Sequence, residues 1–277
     1  MVIIDGKKIR DNFLIEIKSQ VKELKYVPLL CDITVGQDKL SNLYAKLKLK
    51  FAEQVGIKSK IINFREGVTT EELILKIEEL NKKPNMAGII VQLPLPGYID
   101  KEKVLNSISR ELDVDCLCKE NSEAFYKGQG DFIFPTAKAC IFILDEIGID
   151  LTKKKIVVMG NGKLVGRPVT YLLEKRGYFV ENITKENTYT QADIKSADVI
   201  ISATGQANLI TKDKVKEGAI IIDAGTSEEN GSIKGDVDFD NVLGLASFIT
   251  PSPGGVGPVT VAMLLLNVLQ SAKKNGR

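Results

Sequence analysis

Strand-like and helix-like stretches alternate along almost the whole chain, and this alternation restricts the fold more than any other feature. Ile9, Phe13, Ile17, Val21 and Leu24 recur at helical spacing, and "VPLLCDITVG" then reads as a buried strand. A helix follows with Leu40, Leu43, Leu47, Phe51 and Val55 on one stripe, closed by Gly56. "KSKIINF" is a second strand, and "TTEELILKIEEL" is a helix opened by a threonine cap with acids in its first turn. "MAGIIVQL" is a third strand, and a short helix near "KEKVLNSI" completes the half. The second half repeats the pattern: "KKIVVMG" strand, "VGRPVTYLLEKRG" helix, then strands "YFVENIT", "ADVIISATG" and "GAIIIDAG". "SEENGSIKGDVDF" reads as an excursion around an Asn230-Gly231 turn, and residues 118–140 as a linking helix. Strands alternating with helices imply parallel βαβ units with right-handed crossovers, hence an α/β fold in two domains.

Composition narrows the function. With 277 residues the chain can form one large or two ordinary domains, and a net charge of +2 gives no electrostatic case for nucleic acid or membrane partners. "MVIIDGKKIR" has no signal-peptide h-region, and no apolar stretch is read as reaching membrane-spanning length. Cys31, Cys116, Cys118 and Cys140 lack metal-knuckle spacing and read as reduced and structural, which together with the N-terminus gives a cytoplasmic expectation. The chain contains no histidine. That excludes Ser-His-Asp and Cys-His hydrolases, His-ligated metals and dehydrogenases with an imidazole base. No metal site is expected, and acid–base chemistry falls to Lys, Tyr, Asp, Glu or Cys.

Five stretches carry candidate chemistry. "MGNGKLVGRP" follows a strand and opens a helix, so Gly160, Gly162 and Gly166 would let a pyrophosphate approach the helix N-terminus. Its spacing is GxGxxxG, which also suits a tight turn in a ligand-free sheet. "SNLYAKLKLK" sets Tyr44 and Lys48 four apart on one helix face, although Lys46, Lys48 and Lys50 also read as a solvated face. A lysine beside a ring in a partly dry cleft can serve in proton transfer. "GIIVQLPLPG" puts Gln92 at the carboxyl end of a buried strand, where open α/β folds bind ligands. "ELDVDCL" puts Asp113 and Asp115 on one side of an extended segment, as a ligand anchor or a helix-capping turn. In "PSPGGVGPVT" prolines stiffen the path and glycines leave the backbone bare, which suits a ligand-contacting loop.

Taken together and in this order, these pieces resemble the bifunctional methylenetetrahydrofolate dehydrogenase/methenyltetrahydrofolate cyclohydrolase family. The resemblance runs from "IIDGKKI" to the last helix through Ser41-x2-Tyr44-x3-Lys48, "GIIVQLPLP", "DVD", "VGRP", "GDVDF" and "TPSPGGVGPVT". It implies an N-terminal three-layer α/β catalytic domain with parallel strands over 1–118, and a C-terminal Rossmann cofactor domain with the linking helix over 119–277. The last helix, about 260–277, would pack back on the first domain, and the folate cleft would lie between the two. Carried over by residue, Tyr44 would stack on folate, Lys48 would be the central catalytic group and Gln92 would hydrogen-bond that lysine. Asp115 would hold the pterin amino edge, with Pro253, Gly254 and Gly257 along the folate. Gly160, Asn161, Gly162, Thr136 and Thr226 would line the cofactor pocket. Lys185 would pair with the 2′-phosphate of NADP, whereas Glu181 would instead suit the ribose diol of NAD. The implied partners are tetrahydrofolate one-carbon derivatives, and the implied assembly is a homodimer through the Rossmann domain. A dehydrogenase without cyclohydrolase activity, NAD-dependent or not, and a non-catalytic nucleotide-binding module are the alternatives.

Overall fold

The computed structural model describes residues 1–36, 39–184, 191–229 and 232–275. Strand β1 (Val2–Ile3) leads into helix α1 (Gly6–Lys22). Then β2 (Leu29–Val35), α2 (Lys39–Gln54), β3 (Lys58–Phe64), α3 (Thr70–Asn81) and β4 (Met86–Val91) alternate. Three helices follow, α4 (Lys101–Asn106), α5 (Lys119–Tyr126) and α6 (Pro135–Ile147). Alternation resumes with β5 (Ile156–Met159), α7 (Gly166–Lys175), β6 (Val180–Ile183), α8 (Gln191–Lys195), β7 (Val199–Ser202) and β8 (Ile220–Asp223). The hairpin strands β9 (Ser227–Glu229) and β10 (Ser232–Lys234), α9 (Phe239–Val242), β11 (Phe248–Ile249) and α10 (Val256–Asn275) complete the chain.

Two compact units result, and the chain enters each of them twice. One unit comprises Asp11–Pro135 and Val261–Arg277. Its sheet has the order β3-β2-β4, with both pairings parallel. On one face Cys31, Ile33, Ile89 and Val91 pack against Leu73, Ile77 and Leu80 of α3. Helix α3 begins with a capping box, in which Thr69 accepts from the Glu72 N–H and Glu72 accepts from the Thr69 N–H. The other unit comprises Met1–Arg10 and Thr136–Thr260. Its six strands run in the order β1-β11-β8-β7-β5-β6, every pair parallel. Two parallel sheets in two α/β units are what the alternation of periods predicted.

The division does not fall at residue 118. Residues 119–135 stay with the three-stranded unit, because the last helix reaches them: Asn267 donates to the Ile133 carbonyl at 2.9 Å and Gln270 to that of Asp131 at 2.7 Å. The first ten residues go to the six-stranded unit, because β1 pairs with β11 and the Gly6 N–H donates to the Gly254 carbonyl. A two-residue strand carries no periodic signal. The linking helix read over 118–140 is two helices, α5 and α6, separated by a turn in which Gly128 takes φ 71°. The hairpin read in "SEENGSIKGDVDF" is present as the antiparallel β9–β10 pair, while Asn230-Gly231 lie outside the described residues. Helix α10 is, by length and composition, apolar enough to cross a membrane, which corrects the reading that no stretch is. However, 61% of its Val256–Lys274 window is buried, as in a core helix. All four cysteines are free and buried.

Candidate active site

The three-stranded unit gathers its polar groups on the face of β2 opposite the α3 core. Side chains alternate along a strand, so while Cys31 and Ile33 face α3, Asp32 and Thr34 face the other way. Asp32 is fully buried, and its Oδ2 lies 3.7 Å from Lys48 Nζ. The same oxygen accepts from Gln92 Nε2 at 2.7 Å. Asp32 Oδ1 and Thr34 Oγ1 are buried with no hydrogen-bond partner among the described residues. Burial pushes the Asp32 carboxyl up to about 6; Lys48 and the Gln92 hydrogen bond oppose that shift and Asp115 adds to it. Lys48 is 17% exposed, whereas Lys46 and Lys50 on the same helix are exposed, so only the latter two form a solvated face. Tyr44 is half-buried one turn earlier. Ser41 belongs to α2, but its side chain is outside the described residues.

Two of the predicted residues are therefore drawn together by a third that the motif reading missed. Gln92 was expected to bond the lysine; its amide bonds Asp32 instead. The sequence signal for Asp32 is one acid inside the apolar run "LLCDITV". A charge in a central strand needs a partner.

Asp113 and Asp115, expected on one side of an extended segment, lie in a turn that continues to Cys116 at φ 63°. Of the two roles left open for the pair, Asp113 takes the turn-capping one. Asp113 is buried and accepts from the Leu117 and Cys118 N–H groups and from Asn121 Nδ2, so it builds the turn that starts α5. Asp115 is half-buried, and among the described residues no donor meets its carboxylate. Burial holds that carboxyl above its ordinary range against the pull of Lys48.

In the six-stranded unit the glycine turn sits at the carboxyl edge of the parallel sheet, after β5. Gly160 takes φ 96°, and a Cβ there would lie 2.6 Å from the Ala203 carbonyl oxygen. A Cβ on Gly166 would lie 2.0 Å from the Gly160 carbonyl oxygen, whereas one on Gly162 would meet nothing within 4 Å. Gly160 and Gly166 thus serve close packing, and Gly162 leaves its surface bare. Asn161 beside it is exposed. Helix α7 has no side-chain cap on its N-terminal N–H groups. The same edge carries the loops after β7 and β8. Asp236 accepts from Ser202 Oγ, Thr204 Oγ1 and the N–H groups of Thr204 and Gln206, bracing the first. Asp223, pushed up to about 6 by burial, accepts from the Gly225, Asp236 and Val237 N–H groups and braces the second. Thr226 is exposed just beyond it, and Thr136 is half-buried in the first turn of α6.

Glu181 does not face this edge freely: Lys155 Nζ lies 2.9 Å from its Oε2. Lys185 lies outside the described residues. Pro253, Gly254 and Gly257 belong to the six-stranded unit, in the turn that opens α10, with Gly254 at φ 118°. A Cβ on Gly6 would lie 1.8 Å from the Gly255 carbonyl oxygen, which explains a glycine at position 6, and one on Gly255 would lie 2.6 Å from the Pro251 carbonyl oxygen.

Gly166→Ala and Gly162→Ala should separate packing from ligand contact. The first places a methyl against backbone and should destabilise the protein by about 1–3 kcal/mol, lowering Tm by several degrees in a thermal scan. The second should leave Tm within a degree or so while weakening dinucleotide binding measured by titration. Equal Tm for the two variants would refute the assignment.

A parallel sheet with a glycine turn and an uncapped helix at its carboxyl edge, in one chain with an α/β unit holding a lysine–carboxylate cluster, defines a dinucleotide-binding protein with a second chemical site. Residues 4–115 match the family described as tetrahydrofolate dehydrogenase/cyclohydrolase, catalytic domain, and residues 135–276 the corresponding NAD(P)-binding domain. The chain belongs to the tetrahydrofolate dehydrogenase/cyclohydrolase family. It is 41% identical over 275 residues to the bifunctional protein FolD of Staphylococcus aureus strain JH9, covering 98% of this chain and 96% of that one. The crystal structure of the bifunctional FolD of Campylobacter jejuni is similar with a TM-score of 0.93 and 38% identity, over 99% of each chain. The Trypanosoma brucei enzyme, solved with NADP cofactor and an inhibitor, gives a TM-score of 0.94 and 33% identity, over 100% of this chain and 98% of that one.

Proposed function

We propose that the protein oxidises 5,10-methylenetetrahydrofolate to the 5,10-methenyl form with NADP and hydrolyses the product to 10-formyltetrahydrofolate. The observation that carries this reading is the half-buried Lys48 held beside Asp32, in the half of the chain that matches the family's catalytic domain. The second half fits the cofactor. Gly162 leaves a bare approach, no side chain caps the N-terminus of α7, whose dipole favours a pyrophosphate, and Asn161 and Thr226 are exposed at the same sheet edge. When bound, NADP supplies the acceptor for the hydride that leaves the one-carbon unit.

The residues of the chain do the rest. Tyr44 offers a ring face for the folate, and Asp115 offers a carboxylate without donors to the 2-amino-pyrimidinone edge of the pterin. Pro253, Gly254 and Gly257 offer bare backbone along the folate. In the hydrolytic half, water adds to the methenyl carbon and gives up both protons: one is released, and the other goes to N5 as its bond to that carbon breaks, leaving the formyl group on N10. Lys48 moves that proton in a chain with no histidine to do it. A spectrophotometric assay tests the whole reading: methenylfolate should form with NADP and then decay. Formation without decay would leave a dehydrogenase only, and neither would refute the function.

NADP rather than NAD fits the side chains, since Glu181, the acid that would hold a ribose diol, is engaged by Lys155. We assign the 2′-phosphate to Lys185, which should give roughly a five- to hundredfold preference in kcat/KM for NADP. Comparing both cofactors in wild type and Lys185→Ala checks this, and an unchanged preference in the variant would refute it. A cytoplasmic homodimer belongs to the same reading. The homodimer is supported by Phe179, 84% exposed just before the edge strand β6, and light scattering checks the assembly.

A further inference from the structure

We propose that Asp32 is the positioning residue for Lys48: its buried carboxylate, aimed by Gln92, holds the ammonium where the hydrolytic proton transfer takes place. The proposal rests on the function proposed above and adds a residue to it.

Placement is the first argument. In the parallel sheet Asp32 is fully buried in the central strand, in register with Ile61 of β3 and Ile90 of β4. A carboxylate there is costly to bury unless it is paired, so packing does not explain it. The second argument is direction. Both contacts go to one oxygen, with Gln92 Nε2 at 2.7 Å and Lys48 Nζ at 3.7 Å, which leaves Oδ1 without a partner among the described residues. A short amide bond fixes the carboxylate, and the fixed carboxylate tethers the ammonium. The tether is longer than a hydrogen bond, so the three donors of the ammonium stay available to water and substrate. Gln92 then acts on Lys48 at one remove.

Among the described residues the charged groups facing Asp32 are few. Helix α2 contributes Lys48 and the turn before α5 contributes Asp115, while Gln92, just after β4, is neutral and β3 presents Ile61. Since burial pushes the Asp32 carboxyl up to about 6, it is neutral below that pH and charged above it. Only the charged form attracts an ammonium, so the tether tightens as pH rises through about 6.

The test is the pH–rate profile of methenylfolate hydrolysis in wild type and Asp32→Asn, which keeps an acceptor for Gln92 but never ionises. Wild-type kcat should rise through an inflection near pH 6. The variant should lack that inflection, match wild type at pH 5, and fall roughly ten- to hundredfold below it at pH 7.5, with KM changed less than about threefold. The same inflection in the variant, or a loss confined to KM, would overturn the proposal. Carbon-13 titration of the aspartate carboxyls in intact protein gives a second readout that needs no variant at Asp32. In Lys48→Met the Asp32 midpoint should move up by half a pH unit or more, and an unmoved midpoint would show that the pair is not coupled. A wild type without hydrolysis would instead refute the function itself, and this role with it.

Discussion

Lys48→Met is expected to lower methenylfolate hydrolysis by roughly 10²- to 10⁴-fold, the range that a positioned proton-transfer group contributes. Methionine keeps most of the unbranched apolar stem of lysine and removes the ammonium with its charge and protons. Lys48 is 17% exposed and, among the described residues, makes its ion pair with Asp32 alone, so the fold should survive, although Asp32 is then left without its counter-charge. The loss should appear in kcat, with folate binding largely kept, because ring stacking and the pterin anchor are untouched. Stopped assays for methenylfolate decay under saturating substrate read this directly. Full hydrolysis by the variant would remove Lys48 from the chemistry and return the cluster to a structural ion pair.

Asp115→Ala should have its large effect on binding. A carboxylate with no donor among the described residues is available for two hydrogen bonds from the pterin edge, and its loss leaves those ligand donors unpaired. The cost should be about 2–4 kcal/mol, or roughly 30- to 1,000-fold in folate Kd. Burial already holds this carboxyl above its ordinary range, so the charged form is not what stabilises the fold, and removing it should not lower Tm. Dinucleotide affinity should not change, since the cofactor turn belongs to the other unit. Asp113→Ala provides the contrast: it removes the acceptor for two N–H groups and Asn121, and should destabilise the turn. Unaltered folate affinity in Asp115→Ala would eliminate the anchor.

Elements long enough to repeat a period were legible in the sequence. Helices such as Thr70–Asn81, with a capping signal and a buried stripe, and apolar strands such as Met86–Val91 announce themselves locally. The strands Val2–Ile3 and Phe248–Ile249 do not, because they exist only through each other and through the sheet that receives them. The same distinction runs through the candidate sites. Tyr44, Lys48, Gln92, Asp115 and the cofactor glycines stand in motifs with fixed spacing. Asp32 stands in none; only the strand pairing brings it to Lys48 and Gln92. The pairing of Glu181 with Lys155 was equally hidden, since adjacent parallel strands set that register and local sequence does not.

The route of the chain has a consequence for how the protein is made. Val2 finds its strand partner only when Phe248 has been synthesised, and the three-stranded unit receives its last helix only from Val261 onward. A ribosome therefore completes neither unit until residues beyond Phe248 have emerged, and each closes across a long intervening segment, which slows assembly. A nascent chain stopped at residue 250 would hold a sheet close to finished and a partner unit lacking the side chains of Leu264, Leu265, Val268 and Leu269 from its core. The three-stranded unit closes only when most of the twenty-residue helix Val256–Asn275 has emerged.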